Sequence, residues 1–329
     1  MKAAYYERLG PAREVLVLGD LPCPEPLPGE VRVRVHWSGV NPSDVKSRTG
    51  LRSGGTMPYP RVIPHSDGMG VIDALGDGVD PGRLGERVWV WNAARGRAHG
   101  TACEWLCLPQ AQAVRLPDDT PGEAGACLGI PALTAMHAVL MDGGVAGRTV
   151  LVAGGAGAVG HYAVQMASQL GAARVIATTS TPEKAALARA AGADEVVLYK
   201  SEPVAERVLE MTRGAGVDRI IELDLSANGE ADLQMLKDHG ECVVYGNTGA
   251  SVQLPFYPLL ARNLQLKFFL VYALSPQDRQ RATATLTRLL ERGALQHRIA
   301  DRMPLAQIVQ AHERLERGEV NGNLVLKVA

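Results

Sequence analysis

The sequence predicts an α/β protein in which a doubly wound parallel sheet is joined to a β-rich, barrel-like unit. Three observations lead to this class. Residues 149–160 read TVLVAGGAGAVG, an apolar strand-like run that breaks into a glycine turn. From residue 122 onward, helical and strand-like segments alternate. Before residue 117 the chain consists of short strand-like runs separated by turn signals. With 329 residues the chain is longer than one typical core, so two domains are expected.

In the first third, residues 31–36 alternate as VRVRVH, the pattern of a strand with one solvated face. Residues 70–75 and 86–91 read as further strands, with turns at Asp77-Gly78 and Asp80-Pro81-Gly82. The character changes over residues 117–122. Helices are expected at 123–129 and 133–142, a strand at 149–153, a helix at 161–170 and a strand at 174–178. A helix at 182–191, a strand at 195–198 and a helix at 203–212 continue the rhythm. Strands at 219–222 and 241–245 flank a helix around 231–237. This succession of βαβ units calls for a parallel sheet with right-handed crossovers. A long helix (276–292), a shorter one (305–317) and a last strand (323–328) are expected to rejoin the N-terminal part.

Composition narrows the function. Thirty-four Lys and Arg against 35 Asp and Glu leave a net charge of -1, which gives no electrostatic reason to expect nucleic acid or an anionic membrane as partner. The opening MKAAYYERLG lacks the apolar core of a signal peptide, and runs such as 268–274 are too short to span a bilayer. A cytoplasmic location is expected. The five cysteines (Cys23, Cys103, Cys107, Cys127, Cys242) are odd in number and scattered, which suits reduced, mostly buried thiols. Cys103 and Cys107, with only His99 nearby, fall short of a zinc ligand set.

The glycine turn carries the chemistry. Gly155, Gly157 and Gly160 fit G-x-G-x-x-G, with a strand before and a helix after, the context a dinucleotide fingerprint needs. Gly155 is expected to permit the tight turn, Gly157 to let the backbone approach a pyrophosphate, and Gly160 to let the helix pack closely on the strand. The helix N-terminus then offers N–H groups to the phosphates. The second strand ends in Thr178-Thr179-Ser180-Thr181, without the Asp or Glu that would hold a free ribose hydroxyl and repel a 2′-phosphate. Ser180 and Thr181 can donate to that phosphate and Lys184 can neutralise it, so NADPH is expected over NADH. Either hydroxyl also suits the N-cap of a helix starting at Pro182.

Beyond the fingerprint, the chain carries MKAAYYERLGPAREVL at its start, SGVNPSD (38–44), IPHSDGMGVIDALGDGV (63–79), GIPALTA (129–135) and a closing HERLERGEVNGNLVL. With these motifs it resembles the medium-chain dehydrogenase/reductase superfamily, in its zinc-independent quinone oxidoreductase, zeta-crystallin-like branch. The resemblance implies a GroES-like catalytic domain at 1–121, a Rossmann NADP-binding domain at 122–269, and a return to the catalytic domain at 270–329. Zinc-dependent members place a ligating Cys where this chain has Asn41, and His-Glu where it has Ser66-Asp67. His65 is one position out of register, so no metal is expected. The resemblance places Asn41 beside nicotinamide and substrate, and Thr134 facing the cofactor. Lys46 stands where members often carry a Tyr that contacts cofactor or substrate. Further cofactor positions carried over are Ala156, Gly157, Ala158, Val159, Ser180, Lys184, Tyr199 and Asn228. Gly246, Asn247, Thr248, Phe269, Leu270 and Val271 complete the set, at the nicotinamide end.

The expected activity is hydride transfer from NADPH to quinones or α,β-unsaturated carbonyls, which accept hydride without a Lewis acid. An enoyl-thioester or alkenal double-bond reductase is the nearest alternative. That chemistry gains from a positioned acid such as Tyr, which Lys46 does not supply. A non-catalytic nucleotide- or RNA-binding crystallin-like protein is a third reading, against which the charge balance speaks. Residues 264–274 (LQLKFFLVYAL) are apolar and β-prone, a hazard at a sheet edge. A homodimer that pairs this edge with its two-fold mate, burying Phe268 or Phe269, is expected. An internal strand covered by its own helices is the alternative.

Overall fold

The computed structural model describes residues 1–51 and 54–329, which form two compact units. The first comprises Met1–Ile130, Leu290–Gly293 and His297–Ala329, and the second Pro131–Leu289 and Ala294–Gln296.

The first unit opens with β1 (Lys2–Tyr5) and β2 (Val17–Asp20), an antiparallel pair. Its main sheet uses β3 (Glu30–Val40), β4 (Asp67–Leu75), β5 (Arg87–Val90), β6 (Trp105–Pro109) and β7 (Ala113–Arg115). β3 is the organising strand. Val31, Val33 and Val35 are buried and Arg34 is exposed, as the period of two requires. The strand runs on to Val40, four residues beyond the alternating pattern, because Ser38, Gly39 and Val40 are all buried. Gly39 is required there: a Cβ would lie 2.1 Å from the Ala126 carbonyl oxygen. This close fit sets where the chain leaves the sheet, at Asn41.

The second unit holds β8 (Thr149–Val152), β9 (Arg174–Thr179), β10 (Glu195–Leu198), β11 (Val217–Glu222), β12 (Leu236–Val244) and β13 (Gln265–Phe268). They form one parallel sheet in the order β10-β9-β8-β11-β12-β13. The chain winds outward in both directions from β8 and β11, the doubly wound dinucleotide-binding order. Val150, Leu151 and Val152 are buried without alternation because helices cover both faces. The chain then returns to the first unit with β14 (Ile299–Pro304) and β15 (Asn323–Lys327). β15 pairs antiparallel with β3, Leu324 opposite Val40, and β14 pairs parallel with β15.

Several elements depart from expectation for identifiable reasons. Residues 123–129 form a single α-turn, Gly122–Gly125, followed by a π-helical turn, Leu128–Ala132, that contains Pro131. Proline has no N–H for the regular ladder, so the helix cannot continue in register. The helix expected around 231–237 begins earlier, at Leu225–Met235, and β12 follows it directly. The contacts divide the chain at residue 130 and near residue 290, whereas the resemblance implies 121 and 269. Residues 122–130 pack within the first unit, where a Cβ on Gly125 would meet Met69 at 2.8 Å and one on Gly129 would meet Asp67 at 2.5 Å. The helix Pro276–Glu291 is tied to the second unit by Arg279, which donates to the Val271 carbonyl. Among the described residues no helix is long and apolar enough to cross a membrane.

Arg219, on β11, is fully buried and uses its whole fork. It donates to Glu241 Oε1 at 2.6 and 2.8 Å, and to the Ala138, Val139 and Met141 carbonyls at 2.7–3.1 Å. It thereby closes the C-terminal end of the helix Leu133–Leu140 onto the sheet. Replacing it leaves a buried carboxylate with fewer cations and takes a donor from each of three carbonyls. Arg219→Met is expected to lower unfolding stability by about 3–5 kcal/mol in urea titrations.

Candidate functional site

In the second unit, β8 ends in a turn held by backbone bonds. Gly154 N–H donates to Thr178 Oγ1 at 3.1 Å, Gly155 N–H to the Thr178 carbonyl at 3.0 Å, and Gly157 N–H to the Gly154 carbonyl at 2.8 Å. The left-handed residue is Gly154, with φ +66°, so the tight turn rests on Gly154 and the role expected of Gly155 is corrected. Gly155 is needed for space instead: a Cβ there would lie 2.7 Å from the Ala177 Cβ on β9. At Gly160 a Cβ would lie 2.2 Å from the Gly154 carbonyl oxygen, so the helix leaves the turn at the closest possible approach. That helix, Ala158–Gln169, starts three residues before its apolar periodicity does, with Gly157 as an N-cap that supplies no side-chain bond. The N–H groups of Ala158, Val159 and Gly160 therefore have no partner in the helix and form an anion cradle beside the buried Ala156.

The end of β9 lies across this cradle. Thr178 and Thr179 are buried, and Thr178 already serves the turn. Thr181 caps the next helix, Pro182–Ala190, its Oγ1 accepting the Lys184 N–H at 3.3 Å. Ser180 and Lys184 stand half-buried on either side of this cap, and Glu183 is exposed. Tyr199 N–H donates to the Thr179 carbonyl at 3.0 Å, which places its half-exposed ring beside the same strand end. Tyr199 and Asn228 line one cavity of about 270 Å³ together with Gly154, Thr178 and Glu222. Sequence reasoning missed the acids here. Asn228 Nδ2 donates to Glu222 Oε1 at 2.9 Å. Burial, and then the Glu222 charge, push the Asp232 carboxyl up to about 8, and burial also raises Glu222. Burial and the Glu222 charge thus both disfavour the charged form of Asp232.

A second group forms at the ends of β12 and β13. Asp224 accepts from Thr248 N–H, Thr248 Oγ1 and Ser226 Oγ at 2.7–3.1 Å, and Asn247 Oδ1 accepts the Ser226 N–H at 2.8 Å. These bonds bring Gly246, Asn247 and Thr248 against the start of the helix Leu225–Met235. Gly246 and Asn247 share a hollow with Phe269 and Leu270. The His137 ring meets Phe269 edge-on, centroids 4.7 Å apart, so the helix that carries the buried Thr134 flanks this segment. Val271 is buried and its carbonyl is taken by Arg279.

In the first unit, Asn41 is 5% exposed and begins the helix Pro42–Arg48, on which Lys46 is exposed. Asn41 Nδ2 donates to Asp67 Oδ2 at 3.0 Å. Asp67 is fully buried, and burial, reinforced by the Asp44 charge, raises its pKa well above the carboxylate range. Behind it runs a hydrogen-bond chain that the sequence did not reveal. Arg48 Nε can only donate, and it reaches His312 Nδ1 at 3.4 Å. His312 therefore donates from Nε2 to His65 Nε2 (2.9 Å), His65 from Nδ1 to Ser38 (2.8 Å), Ser38 to Thr101 (2.7 Å), and Thr101 to the Asp67 carbonyl (2.5 Å). Both ring nitrogens of His65 are engaged, at a left-handed φ of 75°. Among the described residues no three His, Cys, Asp or Glu side chains are grouped to hold a metal ion.

Burial pushes the His65 pKa down to about 3, and burial followed by the charges of His65 and Arg48 takes His312 well below its usual value. The folded protein thus refuses protons that the unfolded chain binds near pH 6.5. The stability the pair contributes is complete above that pH and is lost as pH falls from 6.5 toward 3. The loss is about 1.4 kcal/mol per pH unit for each histidine. Asp67 and Asp232, with raised values, act in the opposite sense, so the difference between two proteins isolates the histidines. The stability gap between wild type and a His65→Asn/His312→Gln variant is expected to shrink steadily from pH 7 to pH 5 in urea titrations.

In sequence, residues 158–290 match the family described as zinc-binding dehydrogenase, and residues 27–118 match the alcohol dehydrogenase GroES-like domain. A quinone oxidoreductase from Pseudomonas aeruginosa is 32% identical over 318 residues, covering 95% of both chains. An NAD-dependent alcohol dehydrogenase structure superposes with a TM-score of 0.92 at 30% identity, covering 100% of both chains. The Escherichia coli quinone oxidoreductase complexed with NADPH superposes with a TM-score of 0.87 at 26% identity, covering 99% of this chain and 100% of that one. With this agreement of sequence and fold along its length, the chain belongs to the medium-chain dehydrogenase/reductase superfamily and is an oxidoreductase.

Proposed function

We propose that the protein is a zinc-independent, NADPH-dependent reductase of quinones or α,β-unsaturated carbonyl compounds. The observation that carries this reading is Asn41, a neutral amide donor held by Asp67 where zinc-dependent relatives place a thiolate. An amide does not polarise an alcohol as a metal does, and it suits a substrate whose carbonyl is already conjugated. The engagement of both His65 nitrogens supports the same conclusion.

The residues fit a dinucleotide: at Gly155 and Gly160 a Cβ would clash, and the helix start offers unpaired N–H groups. Gly155 to Gly160 hold the pyrophosphate, with Ala156, Gly157, Ala158 and Val159 presenting backbone. Ser180 and Lys184 hold the 2′-phosphate, and Tyr199 and Asn228 flank the adenosine. Gly246, Asn247 and Thr248, with Phe269, Leu270 and Val271, present backbone groups to the nicotinamide end, and Thr134 adds a hydroxyl there. Bound in this way, NADPH supplies the hydride. Asn41 donates a hydrogen bond to the substrate oxygen, and the exposed Lys46 supplies a cation. Similar structures include both an NAD-dependent enzyme and an NADPH complex, and the carboxylate-free end of β9 favours the phosphorylated form. All five cysteines are unpaired thiols, in keeping with a reducing cytoplasm.

The chain also carries the features of a homodimer. β13 ends its sheet with Phe268 65% exposed and Leu270 exposed beyond it, and Phe256 and Tyr257 stand exposed on the helix Phe256–Ala261. A two-fold mate laid along β13 would satisfy its outer backbone groups and cover these side chains.

Three measurements test this reading. NADPH oxidation against a panel of quinones and enones should persist after exhaustive chelation; activity that disappears with the removal of stoichiometric zinc overturns it. Lys184→Ala should weaken NADPH binding by roughly 1.5–3 kcal/mol and leave NADH binding nearly unchanged in calorimetry. Equal losses for both would show that Lys184 does not read the phosphate. Light scattering at micromolar concentration should give a dimer that Phe268→Glu dissociates. A monomeric wild type rules the dimer out.

A further inference from the structure

Asn41 is gripped from two sides. In a reciprocal capping box its side chain receives the Asp44 N–H, while Asp44 Oδ2 receives the Asn41 N–H at 2.8 Å. A backbone N–H can only donate, so the amide turns its oxygen toward the helix and its nitrogen toward Asp67. With one N–H given to Asp67 at 3.0 Å, the other N–H is what the side chain has left to offer. Asp67 has little room to move. It lies opposite Gly39 in the β3–β4 register, and its carbonyl ends the chain that starts at Arg48. A Cβ on Gly129 would come within 2.5 Å of its Oδ1.

We infer that Asp67 is a positioning residue: by accepting one N–H of Asn41 it aims the other N–H, and not the carbonyl oxygen, at the hydride-accepting substrate. This rests on the proposed reductase reading and narrows its substrate class. Hydride addition to a conjugated carbonyl moves an electron pair onto the carbonyl oxygen, which afterwards takes a proton from water. A fixed donor stabilises that oxygen as its charge develops. An amide free to rotate would offer its oxygen half the time and repel it. The class selected is acceptors whose oxygen gains charge, quinones and enones alike. Compounds that need a hydrogen-bond acceptor at this point are selected against.

The test compares Asp67→Asn, whose amide oxygen can still accept from Asn41, with Asp67→Leu, which cannot. Asp67→Leu is expected to lower kcat at least about tenfold with the Kd for NADPH unchanged, and Asp67→Asn to retain most of the wild-type rate. Equal damage in both variants, or none in Asp67→Leu, overturns the inference. A second readout does not depend on turnover. In 15N-labelled protein, the side-chain amide of Asn41, assigned by its loss in Asn41→Ser, should show one slowly exchanging proton in wild type and Asp67→Asn. That protection should vanish in Asp67→Leu; its absence from wild type, or its survival in Asp67→Leu, also overturns the inference. If Asp67→Leu does not fold, Asp67→Thr, too short to reach Asn41, takes its place. A wild type that reduces no quinone or enone sinks the reductase reading, while the amide signal still decides the role of Asp67.

Discussion

The architecture of the second unit depends on one close approach, that of Gly160 to the carbonyl of Gly154, where a Cβ would lie 2.2 Å away. Because the helix Ala158–Gln169 starts this near the strand end, its unpaired N–H groups sit directly beyond β8. Gly154, at φ +66°, turns the chain sharply enough to allow it, and Gly155 leaves room for Ala177 on the neighbouring strand. Thr178 secures the arrangement from β9 with its hydroxyl and its carbonyl. A larger side chain at any of the three glycines would push the helix outward and carry the cradle away from the end of β9. The spacing between this cradle of N–H groups and the Ser180–Lys184 pair is therefore set by packing.

The first unit solves its positioning problem with hydrogen bonds in place of glycine packing. A directional chain from Arg48 to the Asp67 carbonyl passes through two histidines that burial keeps uncharged. Each member has one assignment of donor and acceptor because the guanidinium at the head of the chain can only donate. Such a network is costly if any link is lost, since every remaining group is buried. In return it fixes tautomers and side-chain orientations that apolar packing leaves free. It also joins sequence-distant parts of the unit: His312 belongs to the helix Ile308–Glu316 near the end of the chain, and Ser38 to β3 near its beginning.

These two devices differ in how far the sequence discloses them. The glycine cradle is legible because strand, turn and helix are contiguous, and because glycines at this spacing between a strand and a helix point to one backbone geometry. Even there, motif spacing assigns the turn to Gly155, whereas the left-handed backbone falls on its neighbour Gly154. The parallel sheet order follows from the βαβ rhythm, since crossover handedness leaves few alternatives. The short strands β1, β2, β6, β7 and β14 are not legible, because three to six residues without clear alternation carry too little periodicity. The histidine chain is invisible for a different reason: it links positions up to 264 residues apart, and a lone His in the sequence gives no sign of its partner. The Glu222–Asp232 pair is hidden in the same way, as ordinary acids on a strand and the helix after it.

In both units burial drives several ionisable groups toward their uncharged forms. Burial pushes Asp67, Glu222 and Asp232 up and His65 and His312 down, each toward its uncharged form. The Arg219–Glu241 pair, at the opposite end of the sheet from the cradle, is the contrasting case, since there full charges meet and close a helix end. The contrast is consistent with chemistry in which a neutral substrate gains charge during the reaction. A fixed charge near the reacting oxygen would bind the starting compound's dipole and the developing anion through the same long-range field. A neutral, directed N–H interacts weakly with an uncharged carbonyl and strengthens as the charge grows, so that more of its interaction energy falls on the transition state.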